Sequence, residues 1–69
     1  DIAGETARLS KTLEKLEKDM GGLKGRLNNP KFIANAGDEV VDETRAQLAE
    51  RIDEADRLRE AINKLKAMA

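Results

Sequence analysis

Apolar residues recur along this chain at helical spacing in two separate stripes. In the first half Ile2, Leu9, Leu13, Leu16, Met20, Leu23 and Leu27 fall in line. From Leu9 onward the steps alternate between four and three residues, which puts these side chains at the a and d positions of a heptad. In the second half Val41, Leu48, Ile52, Ala55, Leu58, Ile62, Leu65 and Ala69 form the returning stripe. Its two successive steps of three, Ile52 to Ala55 to Leu58, predict a stammer that locally overwinds the pair. Polar and charged residues fill the positions between, so each half has one apolar face and one solvated face.

The stretch from Gly25 to Val41 separates the stripes and holds the only proline, Pro30, and the only aromatic residue, Phe32. Gly25, Asn28, Asn29 and Pro30 are residues that stop helices, and Gly37 followed by Asp38 starts one. The pattern predicts an all-α fold, a two-helix antiparallel coiled-coil hairpin with a short helical turn at the tip. Its first helix covers about 3–27, its tip 28–37 and its second helix about 38–67, and residues 1–69 form a single domain. Asn29 before Pro30 is an N-cap and first-turn pair, so Pro30 to roughly Ala34 is expected to make the turn. Phe32 and Ile33 are expected to plug the open end of the seam against Leu27 and Val40 or Val41; a base-stacking role is the other use of a lone aromatic here.

Composition narrows the chemistry. Charged residues make up 39% of the chain, and cysteine and histidine are both absent. That removes disulfides, thiolate zinc sites and imidazole acid–base catalysis. No phosphate-binding glycine motif or nucleophile triad is present, and the carboxylates lie on solvated helix faces beside lysines and arginines, where nothing separates their pKa values. Catalysis by this piece alone is not expected, and neither is a cofactor. No apolar run approaches the ~20 residues of a membrane span. One seam is a thin core, so the isolated chain should be marginally stable or self-associate. It begins at Asp1 in mid-pattern, as a fragment of a longer chain does.

Charge placement is more informative. With the first seam fixed, Arg8, Lys11, Lys15 and Lys18 fall on alternating c and f positions, a basic line down the outside of the helix. Lys11 and Lys15 repel at i, i+4. Gly22 and Gly25 continue the line, with Gly21 beside them, although glycine weakens a helix interior. A basic line passing into bare backbone suits a phosphate chain laid along the arm; a solvated face that frays near the tip is the simpler alternative. In the second half acids crowd the first turns, from Asp38 to Glu43, and bases the far end, from Arg57 to Lys66, as the helix dipole favours. Arg45 is the exception. It falls between Val41 and Leu48 where an apolar residue is expected, and must either reach an external anion or pair with a carboxylate of the first arm. The net charge is −1, while residues 1–27 carry six bases against five acids, so any nucleic-acid contact is local.

The same residues resemble a known family. Asp1-Ile2-Ala3 with Glu5, Arg8 and Leu9 is similar to the start of the C-terminal coiled-coil arm of bacterial valyl-tRNA synthetases. The tip is closer still: Gly25-Arg26-Leu27, Asn29, Phe32-Ile33, Ala36, Glu39-Val40-Val41, Arg45 and Leu48. The likeness covers essentially the whole chain. Gly37 stands where that family usually has proline, Gln47 where a basic residue is common, and Thr44 where a glutamate precedes the arginine. The resemblance implies an arm that reaches the outer corner of a valine-specific tRNA, where the D and T loops meet, attached to a cytoplasmic catalytic body. That parent joins valine to tRNA with ATP and Mg2+ and edits mischarged threonine elsewhere; none of its catalytic residues lies in this chain. Lys11, Lys15 and Lys18, followed by Arg8, Arg45 and Arg26, are the expected phosphate or sugar contacts. Two rivals stand beside this reading: a coiled coil that contacts only protein, and the N-terminal helical arm of a seryl-type synthetase.

Overall fold

A computed structural model describes all 69 residues, with two helices, α1 (Ile2–Leu27) and α2 (Pro30–Met68), folded back on each other. The hairpin is a rod of 49 × 14 × 13 Å. Neither helix is long and apolar enough to cross a membrane.

α1 runs unbroken through Gly21, Gly22 and Gly25. It stops only at Asn28, whose N–H donates to the Lys24 carbonyl at 3.0 Å while Asn29 N–H donates to the Arg26 carbonyl at 3.1 Å. Gly25 is therefore not a terminator. α2 begins at once: the Asn29 side chain accepts a hydrogen bond from Lys31 N–H at 3.0 Å, and Pro30 follows where its missing N–H costs nothing. The tip turn is longer than expected and extends to Gly37, where the helix breaks at φ 81, ψ 160 and then resumes at Asp38. Only glycine adopts that backbone region readily.

The α1 seam is as its pattern predicts. Leu16, Met20 and Leu23 are buried, Ile2, Leu9, Leu13 and Leu27 half-buried. Thr6 completes the heptad between Ile2 and Leu9, with its hydroxyl donating to the Ile2 carbonyl at 2.8 Å.

The α2 seam corrects the expectation. Its inward residues are Val41, Thr44, Leu48, Arg51, Ala55, Leu58, Ile62 and Leu65, an uninterrupted alternation of three and four. There is no stammer. Ile52, assigned to the seam on hydrophobicity, lies at its edge and is 38% exposed. Arg45 does not occupy a seam position; Thr44 does, at 5% exposure, with its hydroxyl satisfied by the Val40 carbonyl at 2.8 Å. Ala69 is exposed. The physical reason is the partner: α1 keeps a strict heptad, and an overwound segment of α2 would lose contact with it. At the tip Phe32 and Ala36 are half-buried, whereas Ile33 and Val40 stay exposed, so Ile33 does not help to plug the seam.

One ion pair joins the arms, Arg59 Nη2 to Glu17 Oε2 at 3.6 Å. Both side chains are about half exposed, and such a pair contributes at most ~1 kcal/mol. Packing along the seam holds the hairpin.

Candidate nucleic-acid interface

The heptad fixes where each cation points. On α1 the c and f positions face away from α2, so Arg8, Lys11, Lys15 and Lys18 line the outside of the rod, and all four are exposed. At 1.5 Å per residue Lys11 and Lys18 stand roughly 10 Å apart along the axis. Arg8 is held by Glu5 at 3.5 Å. Lys11, Lys15 and Lys18 have no carboxylate within 4 Å; Glu14, a candidate partner for two of them, takes neither. Their charges are uncommitted.

The glycines that continue this line are exposed helical backbone. A β-carbon built at Gly21, Gly22 or Gly25 meets nothing within 4 Å. The hairpin itself therefore has no packing reason for glycine at these positions, and the helix runs through them unbroken.

The remaining two expected residues lie on opposite flanks of the seam. Arg45 is exposed on the flank that also carries Arg59, and its partner is Asp42 of its own helix at 3.4 Å, not a carboxylate of α1. Arg26 lies on the other flank. It is the one arginine of the chain that forms no ion pair. There the structure brings together Lys18, Asp19, Gly22, Leu23 and Arg26 of α1 with Gln47 and Arg51 of α2, around an open groove of about 310 Å³.

Arg51 escaped the sequence reading. Its stem packs at a seam position and its side chain is 34% exposed, so the guanidinium snorkels out into the groove. The nearest carboxylates, Glu50 and Glu54, both stand 3.9 Å away on the same helix. The signal that points to it is continuity of the heptad: carrying the strict repeat of α1 into α2 selects Arg51 over Ile52. Exposed lysines along one helix thus lead to a groove between the two that is lined by Lys18, Arg26 and Arg51.

Comparison with known proteins identifies the family. The profile of the family described as the valyl tRNA synthetase tRNA binding arm matches residues 1–66. A valine–tRNA ligase of Cereibacter sphaeroides is 55% identical over all 69 residues, which make up 7% of that protein. One from Ruegeria pomeroyi is 55% identical over 65 residues, 94% of this chain and 6% of the relative. One from Bdellovibrio bacteriovorus is 45% identical over 64 residues, 93% of this chain and 7% of the relative. The chain thus spans a small fraction of the length of these relatives. No solved structure matches it.

Proposed function

Because the chain belongs to the family of valyl-tRNA synthetase tRNA-binding arms, we propose that it grips the outer corner of a valine-specific tRNA and so positions it for valylation by an attached catalytic body. The match of the family profile over residues 1–66 carries this reading. ATP and Mg2+ belong to that body, and the arm's own contribution is affinity and orientation. A rod 49 Å long carries a contact at its far end to the orientation of the bound RNA. Its lysines and arginines meet phosphates and sugars, which position a nucleic acid without reading its sequence. Lys11, Lys15 and Lys18 are the first contacts, since no carboxylate competes for them, with Arg26 beside them. Arg8 and Arg45 contribute less, because Glu5 and Asp42 already share their charge.

The test is a salt titration of tRNA binding, followed by fluorescence anisotropy, for this chain and its Lys11/Lys15/Lys18→Glu variant, with circular dichroism as the control for helicity. Each lost phosphate contact should lower the slope of log K against log salt by roughly 0.7–0.9. Loss of about two units of slope with helices intact supports the assignment. Equal binding by both proteins removes the three lysines from the interface. If charging by a valine–tRNA ligase carrying the same triple change were also unaffected, a coiled coil that contacts only protein would be the better reading.

A further inference from the structure

We propose that the groove between the helices, walled by Lys18, Gly22 and Arg26 on one side and by Gln47 and Arg51 on the other, seats consecutive phosphodiester groups of the bound RNA strand. The proposal rests on the RNA-binding reading and adds to it a site where the outer line of Lys11 and Lys15, continued by Lys18 and Gly22, meets the second helix.

Three observations converge on this groove. The first is its charge. Lys18, Arg26 and Arg51 line it against one carboxylate, Asp19, which forms no ion pair with any of them. Like charges converging in a concave surface concentrate the potential that draws an anion. The second is the state of its arginines. Arg26 alone among the arginines has no carboxylate, and Arg51 is held only loosely, at 3.9 Å, by neighbours on its own helix. Two guanidinium forks rising from opposite walls are the arrangement that binds phosphate oxygens in pairs. The third is the wall on α1. Lys18, Gly22 and Arg26 are spaced i, i+4, i+8 on one line and span about 12 Å along the axis. The middle position has no side chain, although a β-carbon there meets nothing within 4 Å. A larger residue would stand between the two cations and keep a strand off the backbone.

A strand is a better fit than an isolated anion. The groove has about 310 Å³ of open volume and one apolar residue, Leu23, in its lining. It is also continuous at Lys18 with the outer line through Lys11 and Lys15. A polyphosphate backbone following that line enters the groove without leaving the cationic surface.

The test uses two substitutions with opposite effects on the hairpin. Arg51→Met keeps the stem that fills the seam and removes the charge. Gly22→Ala strengthens the helix and should raise the melting temperature by several degrees. Both should bind valine tRNA several-fold more weakly at ~0.1 M salt, and Arg51→Met should lose roughly 0.7–0.9 of salt slope. A more stable Gly22→Ala hairpin that binds less well is the outcome a purely structural role does not produce. Affinity of both variants equal to that of the unaltered chain, while Lys11/Lys15→Glu loses binding, overturns the groove and leaves the RNA-binding reading standing. Absence of salt-dependent tRNA binding by the unaltered chain overturns both.

Discussion

Replacing Gly37 by alanine isolates the cost of the break at the tip. At φ 81, ψ 160 the residue lies in a region that is essentially glycine-only and costs an L-residue of order 1–3 kcal/mol. No neighbour adds to this, since a β-carbon at position 37 meets nothing within 4 Å. Alanine also restricts the unfolded chain, which gives back ~0.4–1 kcal/mol. The net loss is about 1–2 kcal/mol. For a domain this size, 1 kcal/mol shifts the melting temperature by roughly 4–8 °C, so Gly37→Ala should melt some 5–15 °C lower. Thermal unfolding followed by circular dichroism measures the shift. Chemical synthesis with D-alanine at position 37 supplies the mirror control, because a D-residue favours positive φ. It should melt at or above the temperature of the glycine chain. An L-alanine variant as stable as the parent would refute the reasoning, for it would mean that the tip relaxes to another path without cost. The break also has a functional reading, since Gly37 sets the direction in which Pro30–Ala36 and the half-exposed Phe32 leave the second arm. Proline, with φ locked near −65°, cannot make this bend.

Two further substitutions test the seam. Leu23→Ala removes one of the most buried side chains of α1 and should cost about 2–3 kcal/mol, near the low end for core leucines because a two-helix seam can partly collapse on the gap; urea unfolding gives the value, and a loss under ~1 kcal/mol would contradict the burial. Thr44→Val exchanges a hydroxyl at a buried seam position for a methyl group of the same shape, and the Val40 carbonyl that accepts the hydroxyl keeps its helical backbone donor. The variant should be as stable as the parent or more so, by up to ~1 kcal/mol in the same unfolding assay; a clear destabilisation would show that the hydroxyl has a further partner.

Most of the architecture was legible because two constraints act locally. The strict heptad from Leu9 to Leu27 can only be one face of a helix, and Asn29-Pro30 can hardly be anything but a helix start. Where glycine acts as glycine was not legible. Gly25 looks like a terminator and is ordinary helix, whereas Gly37, read only as part of a helix-starting pair, is the residue that adopts positive φ. The seam decides between them. Leu27 still has a seam position to fill beyond Gly25, while beyond Gly37 the chain must reverse onto that seam.

The site was half legible for a related reason. Hydrophobicity favours Ile52 over Arg51 by a wide margin, and a single helix judged alone would bury the isoleucine. A hairpin is not judged alone. Its two faces must stay in register over the whole rod, and α1 is strictly heptad from Ile2 to Leu27, so α2 follows with Thr44 and Arg51 facing inward. The cost is moderate, because Ile52 at 38% exposure still loses most of its contact with water and Arg51 buries an apolar stem. That placement changes what the arginine can do. A lysine on the outer line gives up nearly all its rotamer freedom when it meets a phosphate. The stem of Arg51 is already ordered by packing, so its guanidinium enters the groove with much of that entropy lost on folding and less to lose on binding. Arg51, the one charged residue in the seam of α2, is therefore the cation with the least side-chain entropy to lose on meeting an anion.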